Sequence, residues 1–259
     1  SGYSAFIMNI GFLGSGHITS SIIEGIFKSK LKIKKIYISP RNKSISKKLS
    51  KRFKKVTVSI NNQQLIDKSN WIFLSITPQV GNKILSKLKF SNNKKIISLI
   101  STINLEKLKK YTKNNNISRV IPLPFIGMRK GPIIICPKNK QLKNFFKHLG
   151  KVIELKSEKT SKGFWATSSF MASFYNLLNQ NSNWLVSKGI KRRDAEDYTR
   201  ELFLALSEDA INKNRISLKQ LVLESQTPGG TNAYVLNLLK KKKFYKVQQK
   251  ALNSIFKKF

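Results

Sequence analysis

The stretch Asn9-Ile-Gly-Phe-Leu-Gly-Ser-Gly-His-Ile-Thr19 decides the fold. It opens as an apolar run of strand character and passes into a helical pattern over residues 18–28. Between the two lies Gly14-Ser-Gly16-His-Ile-Thr19, the pattern Gly-x-Gly-x-x-small at a strand-to-helix turn. The first glycine permits the tight turn. The second lets the backbone approach a pyrophosphate, and the small third position lets helix and strand pack closely. Thr19 stands where Gly or Ala is usual. The helix start offers unpaired N–H groups to the phosphates. Gly11, Gly14, Ser15, Gly16, His17 and Ile18 are the cofactor-binding residues expected here. His17 is read as a helix-start residue near the pyrophosphate rather than as a catalyst.

Working outward, short β-rich runs alternate with helical patterns. The runs are Met8-Asn-Ile-Gly-Phe-Leu13, Lys35-Ile-Tyr-Ile-Ser39, Val56-Thr-Val-Ser59, Trp71-Ile-Phe-Leu-Ser-Ile76 and Lys95-Ile-Ile-Ser-Leu-Ile100. Arg119-Val-Ile-Pro122, Pro132-Ile-Ile-Ile-Cys136 and Val152-Ile-Glu-Leu155 follow. Strands alternating with helices predict a parallel-rich sheet covered on both faces, an α/β domain of the Rossmann type over residues 1–157. The pattern changes near Ser157. Residues 158–259 predict an all-helical domain for substrate binding and dimerisation. Its long helical stretch, 164–188, is apolar nearly all round, which suggests burial against a partner chain. Residues 192–212, 218–224 and 231–240 read as further helices. The basic tail 241–259 places Phe244, Val247, Ala251 and Ile255 on one face.

The end of the second strand reads Ile38-Ser-Pro-Arg41-Asn-Lys43. An enzyme that prefers NAD usually has Asp or Glu here for the ribose 2′-hydroxyl. None is present. Ser39 and Arg41, with Asn42 and Lys43, suit a 2′-phosphate, because Arg offers a planar fork to phosphate oxygens. The expected cofactor is therefore NADPH rather than NADH. The bland alternative is a solvated basic loop.

Fifty Lys and Arg against 12 Asp and Glu give a net charge of +38 over 259 residues. Such a field attracts polyanions non-specifically. The lysines are spread along the whole chain, which is also rich in Ile, Asn, Phe and Ser. This points to a composition bias rather than a nucleic-acid site, and no specific nucleic-acid partner is expected. The single cysteine, Cys136, excludes an internal disulfide and reads as a buried structural thiol. His17 and His148 lie far apart, no metal-ligand spacing is present, and no metal is expected. No apolar run reaches the roughly 18–20 residues of a membrane span. Residues 1–7 precede Met8, lack the basic end of a signal peptide and read as an expression scar. Cytoplasmic location and no membrane partner are the expectations.

Thr227-Pro-Gly-Gly-Thr-Asn232 precedes an apolar helix. Two glycines before a helix start create a nest of N–H groups that suits a small carboxylate. The plainer reading is a Gly-rich turn with Thr231 as helix N-cap.

Taken in order, these segments make the chain resemble pyrroline-5-carboxylate reductase over nearly its whole length. Ile10-Gly-Phe-Leu-Gly-Ser-Gly-His17 is similar to that family's Gly-Phe-Ile-Gly-Ala-Gly-Asn. Phe73-Leu-Ser-Ile-Thr-Pro-Gln79 is similar to its Ala-Val-Lys-Pro-Gln, and Ile97-Ser-Leu-Ile-Ser-Thr-Ile103 to its Ser-x-Ala-Ala-Gly-Ile. Arg119-Val-Ile-Pro-Leu-Pro124 resembles Arg-x-Met-Pro-Asn-x-Pro with one residue fewer. Thr227-Pro-Gly-Gly-Thr231 resembles Ser-Pro-Gly-Gly-Thr.

The resemblance implies hydride transfer from NADPH to a cyclic C=N bond and a homodimer or higher homo-oligomer with interlocking helices. A protonated imine is already electrophilic, so the protein mainly has to align it with the nicotinamide. The resemblance adds Ile76, Thr77 and Pro78 to the cofactor set. It assigns Pro122, Leu123, Gly229, Gly230, Thr231 and Asn232 to a cyclic imino acid substrate. Thr167, Thr227 and Asn232 are the expected polar residues at the reaction centre. Several positions depart from the family. Thr77 replaces a Lys, Leu123 an Asn and Asn232 a Thr, and Ser169-Phe-Met-Ala-Ser-Phe-Tyr175 replaces a Gly-rich helix start. The substrate is thus 1-pyrroline-5-carboxylate or a different imine. Tyr175 is read as a core or interface aromatic. A β-hydroxyacid-type dehydrogenase would need a Lys just before Asn176 or Asn179, where Phe174 and Tyr175 stand. A non-catalytic NADPH-binding protein is the alternative of another class.

Overall fold

The computed structural model describes residues 8–259, so the expected expression scar at 1–7 lies outside the described residues. The chain divides into two compact units. One runs to Ala166 and takes in Lys258–Phe259, and the other is Thr167–Lys257.

In the first unit the order is β1 (Asn9–Leu13), α1 (His17–Lys28), β2 (Lys35–Ile38), α2 (Lys43–Arg52), β3 (Val56–Val58), α3 (Asn62–Lys68) and β4 (Trp71–Leu74). Next come α4 (Pro78–Ile84), β5 (Lys95–Ser98), α5 (Leu105–Thr112), β6 (Ile117–Ile121), β7 (Pro132–Cys136), α6 (Lys140–Phe146) and β8 (Lys151–Glu154). The strands form one sheet in the order β3-β2-β1-β4-β5-β6-β7-β8. Every neighbouring pair is parallel except β6–β7. The reversal has a simple cause. The β6–β7 connection holds only a 3-10 turn, Pro124–Met128. That is too short for the crossover helix a parallel return requires.

Side chains alternate across the sheet with period two. Ile10, Phe12, Ile36, Ile38 and Phe73 pack against Ile22, Ile23 and Ile26 of α1, Leu49 of α2 and Phe145 and Phe146 of α6. Leu13, Tyr37, Ile72 and Leu74 face the other way, toward Leu65 and Ile66 of α3 and Leu108 of α5. Phe12 stacks on Phe73 with ring centroids 4.7 Å apart, and each such buried ring contributes about 1.5–3 kcal/mol. Cys136 is buried in this sheet. Burial pushes its thiol pKa up, the Glu158 carboxylate adds to the rise, and Arg119 offsets part of it. The thiol therefore stays protonated and unreactive.

Lys95 opens β5 at only 5% exposure. Its Nζ lies 3.3 Å from Asn116 Oδ1. Burial lowers its pKa from the ordinary lysine value. A buried ammonium opposes folding fully below its folded-state pKa, and that penalty fades as pH rises toward the unfolded value. Lys95→Met is expected to gain about 1 kcal/mol at neutral pH, a rise in Tm of roughly 2–4 °C. A thermal melt showing no rise contradicts this, and the gap should narrow in strongly alkaline buffer.

The chain leaves the sheet through α7 (Ser161–Thr167). The second unit then holds α8 (Met171–Ser187), α9 (Arg192–Asn212), α10 (Leu218–Glu224), α11 (Thr231–Lys241) and α12 (Phe244–Phe256). The single helical stretch expected over 164–188 is broken by a 3-10 turn, Ser168–Phe170. Thr167-Ser-Ser169 explains the break, because hydroxyl side chains offer backbone groups an alternative to the helix ladder. α8 packs on α9, with Phe174 and Phe203 edge to face at 6.1 Å. Only Ser182, Ala195 and Thr199 are buried among the described residues of this unit. α9 carries six carboxylates against three arginines. Among the described residues, no helix is long and apolar enough to cross a membrane.

Candidate functional site

The turn from β1 into α1 is built around two glycines with different tasks. Gly14 has φ +115°, and a Cβ there would meet the Ser75 carbonyl oxygen at 2.0 Å and Ile76 Cγ2 at 3.1 Å. Only glycine fits. Gly16 is the N-cap of α1 at φ −86°, and a Cβ there would meet nothing within 4 Å. The space above Gly16 is open. Thr19 is fully buried. Its hydroxyl donates to Gly14 O at 3.1 Å and shares a 2.8 Å hydrogen bond with Ser75 Oγ. The usual small residue is thus replaced by one that staples the glycine turn to the end of β4.

The amides that open α1 have no side-chain cap, and its first turn holds no acid. Asn42, Asn61, Thr77, Asn104 and Asn139 cap α2 to α6 by their side chains. An uncapped helix start above open space fits the pyrophosphate of a dinucleotide. A groove of about 660 Å³ beside it, lined by His17, Ser20, Glu24, Lys48, Lys51 and Arg52 among others, is strongly cationic. Its one acid, Glu24, is ion-paired with Arg52.

The end of β2 forms the second wall. Ser15 Oγ accepts a hydrogen bond from Asn42 N at 3.1 Å, tying this loop to the glycine turn. Asn42 Oδ1 accepts from Ile45 N and so caps α2. Ser39 N donates to Phe12 O at 3.1 Å. Its buried hydroxyl donates to Asn62 Oδ1 at 2.9 Å. Ser39 therefore offers an oxygen at this edge, while its proton is already engaged. Asn62, at the start of α3, is a residue that sequence reasoning missed. Nothing in its local pattern marks it, since its partner lies 23 residues away. Arg41 is exposed.

Ile76, Thr77 and Pro78 form the third wall, past the end of β4. Thr77 Oγ1 accepts from Val80 N at 3.3 Å, and Pro78 occupies the first turn of α4. The residue that replaces the family's Lys is thus a helix cap. Gly11 stands apart from the cradle. It lies inside β1, where a Cβ would come within 2.4 Å of Ser69 Oγ and 2.7 Å of Leu65 Cδ2. Its absent side chain serves the packing of α3. Pro122 and Leu123 follow β6, and Leu123 occupies the N-cap position of the 3-10 turn without a side-chain cap. The structure thus brings Gly14, Ser15, Gly16, Ser39, Asn42 and Ile76 together at the C-terminal ends of β1, β2 and β4. This is where open parallel sheets bind ligands.

In the second unit, Gly230 N donates to Thr227 O at 2.8 Å and Gly229 takes φ +74°. Gly230 is the N-cap of α11, with no side-chain cap and no acid in the first turn. Thr231, the alternative cap, instead occupies the first helical position. Thr227, Gly229, Thr231 and Asn232 are exposed. Thr167 ends α7.

A glycine cradle of this kind on a parallel sheet, followed by a helical unit, defines an NAD(P)-dependent oxidoreductase. Residues 9–104 match the family described as NADP oxidoreductase, coenzyme F420-dependent. Residues 158–259 match the family described as pyrroline-5-carboxylate reductase dimerisation. Residues 158–259 belong to that dimerisation family, and the two matches in this order give the chain the domain make-up of a pyrroline-5-carboxylate reductase. Its fold is similar to that of 1-pyrroline-5-carboxylate reductase from Streptococcus pyogenes, at 22% identity and TM-score 0.82, covering 97% of this chain and 98% of that one. Plasmodium falciparum pyrroline carboxylate reductase with NADP bound superposes at TM-score 0.83 and 21% identity, with 98% of each chain covered. A reductive aminase from Aspergillus terreus shares the fold at TM-score 0.59 and 12% identity, over 81% of this chain and 76% of that one. No curated protein sequence matches the chain.

Proposed function

We propose that the protein reduces a cyclic imino acid, 1-pyrroline-5-carboxylate to proline, with NADPH by direct hydride transfer. The observation that carries this reading is the open, uncapped cradle at Gly14 and Gly16 in one chain with a helical unit of the pyrroline-5-carboxylate reductase dimerisation family. A bound NADPH supplies the hydride. The α1 amides hold the pyrophosphate, and Arg41 with the side-chain N–H of Asn62 receives the 2′-phosphate, while Ser39 orients the Asn62 amide through its hydroxyl. Ile76, Thr77 and Pro78 flank the nicotinamide end. In the helical unit, the amides of Gly229, Gly230, Thr231 and Asn232 hold the substrate carboxylate, with Thr167, Thr227 and Asn232 as the polar candidates at the reaction centre; Pro122 and Leu123 are the substrate-side candidates of the first unit. A cyclic imine that is protonated on nitrogen needs no strong general acid, so positioning dominates.

The test is NADPH oxidation, followed by absorbance, with 1-pyrroline-5-carboxylate and then other cyclic imines. Turnover of the first supports the reading. Turnover of another imine alone keeps the reaction class and changes the substrate, which Leu123 and Asn232 would explain. NADPH binding without any turnover overturns the reading. Arg41→Ala is expected to weaken NADPH about tenfold, near 1.4 kcal/mol for a lost charge-assisted contact, and to leave NADH unchanged. Equal cofactor ratios in variant and parent would remove the assignment.

The helical unit forms a homodimer in this reading. Phe174, Leu177, Tyr198, Leu202 and Leu206 are exposed in the single chain, and a second copy covers them.

A further inference from the structure

The connection from β5 to α5, residues 99–104, is held at both ends by one ion pair, whose arginine is buried and whose glutamate is half-buried. Arg119, on β6, is 6% exposed. Its Nη2 donates to the carbonyls of Ile100 at 3.0 Å and Ser101 at 2.5 Å, fixing the start of the connection. Its Nη1 donates to Glu158 Oε1 at 2.6 Å. The same Glu158 carboxylate accepts the N–H of Leu105, at 3.0 and 3.2 Å to its two oxygens. Leu105 opens α5, so Glu158 fixes the other end. Trp165 covers the guanidinium, with its ring 5.8 Å from Arg119 Cζ.

The connection packs onto the candidate site. A Cβ on Gly81 of α4 would meet Ile103 Cδ1 at 3.0 Å and Ile100 Cδ1 at 3.2 Å. α4 begins at Pro78, directly after Ile76, and Ile76 lies against Gly14. The β5 end is itself tied to β4, since Leu99 N donates to Leu74 O at 3.0 Å. Among the described residues, no hydrogen bond joins Arg119 to a cradle residue; the links from it run through Ile100, the close packing of Ile100 and Ile103 beside Gly81, and the chain of α4 back to Ile76.

We propose that Arg119 is a positioning residue, which acts through Glu158 and the 99–104 connection to set the wall of the site at the cofactor's reactive end. This rests on the hydride-transfer reading above. The guanidinium is suited to the task because its planar fork reaches two carbonyls and a carboxylate at once, which a lysine ammonium on a flexible stem does not do with fixed geometry. Small displacements of a reacting group cost about a hundredfold in rate. In that reading the adenosine and pyrophosphate half of the cofactor is held elsewhere, at the α1 amides above Gly16 and at Arg41, so overall affinity should not depend on Arg119.

The experiment compares the parent with Arg119→Met and Glu158→Gln in the full chain. Glu158→Gln keeps an acceptor for Leu105 and serves if Arg119→Met does not fold. For Arg119→Met, kcat is expected to fall about 10- to 100-fold while the Kd for NADPH stays within about twofold. Glu158→Gln is expected to lie between parent and Arg119→Met. Amide hydrogen exchange should quicken at least about tenfold in 99–105 and stay unchanged in β4 and β1. NADPH should slow that exchange in the parent and fail to do so in Arg119→Met. Unchanged exchange overturns the proposal, as does a loss of NADPH affinity equal to the loss of kcat. A parent that turns over no imine sinks the hydride-transfer reading instead, and the exchange and affinity results still decide the role of Arg119.

Discussion

Gly16→Ala is expected to fold normally and to lose its cofactor. The added methyl meets nothing within 4 Å of the protein, and φ −86° suits any residue. Alanine in place of glycine at an N-cap costs less than about 1 kcal/mol. The same methyl occupies the open space through which a pyrophosphate reaches the α1 amides. NADPH affinity should fall about a hundredfold, near 2.7 kcal/mol, with Tm almost unchanged. Gly14→Ala is the opposite case. Its methyl would enter the Ser75 carbonyl, and the left-handed backbone adds strain, so about 2–6 kcal/mol of stability goes with it. Titration of NADPH by fluorescence, beside a thermal melt, separates the two. Tight NADPH binding by Gly16→Ala would contradict the cradle.

Leu202→Glu with Leu206→Glu should convert the protein to a monomer and abolish turnover. Tyr198, Leu202 and Leu206 recur every four residues on α9 and are all exposed. Three buried residues cannot hold a helical unit of this length together on their own account. Burial of one leucine contributes about 1.5–3 kcal/mol. Losing two in each copy, with charge put in their place, weakens self-association at least about a thousandfold. Light scattering at micromolar concentration is the measurement. A double variant that keeps the parent's mass shows that this face is not the seam.

Much of the architecture was legible because it rests on local pattern. Runs such as Trp71-Ile-Phe-Leu74 carry β-branched and aromatic residues between polar breaks, and Gly14-Ser-Gly16 follows the first of the strands. The β7 reversal was not read, because it depends on the length of a connection rather than on any residue type. The break at Ser168–Phe170 was hidden by apolar neighbours that favour one continuous helix. The candidate site was legible where it lies within one turn, as at Gly14 to Thr19. It was illegible where distant segments meet. Ser39 suits a 2′-phosphate by residue type alone, yet its hydroxyl already donates to Asn62 Oδ1, 23 residues on. Thr77 looked like a lost lysine, although its hydroxyl caps α4. Arg119 was only a letter in a motif until Glu158, 39 residues on, closed the ion pair.

The acidity of α9 has a consequence for how such a cationic molecule meets its own kind. Two bodies each of +38 repel at long range, yet ions screen that field within about 8 Å at physiological ionic strength. At closer range only the local balance counts. Residues 192–239 hold seven acids and six bases, an almost neutral island on a basic chain. The same salt that strips adventitious polyanions from the lysines quiets the repulsion between copies, so that the self-association proposed above would meet least opposition at this island.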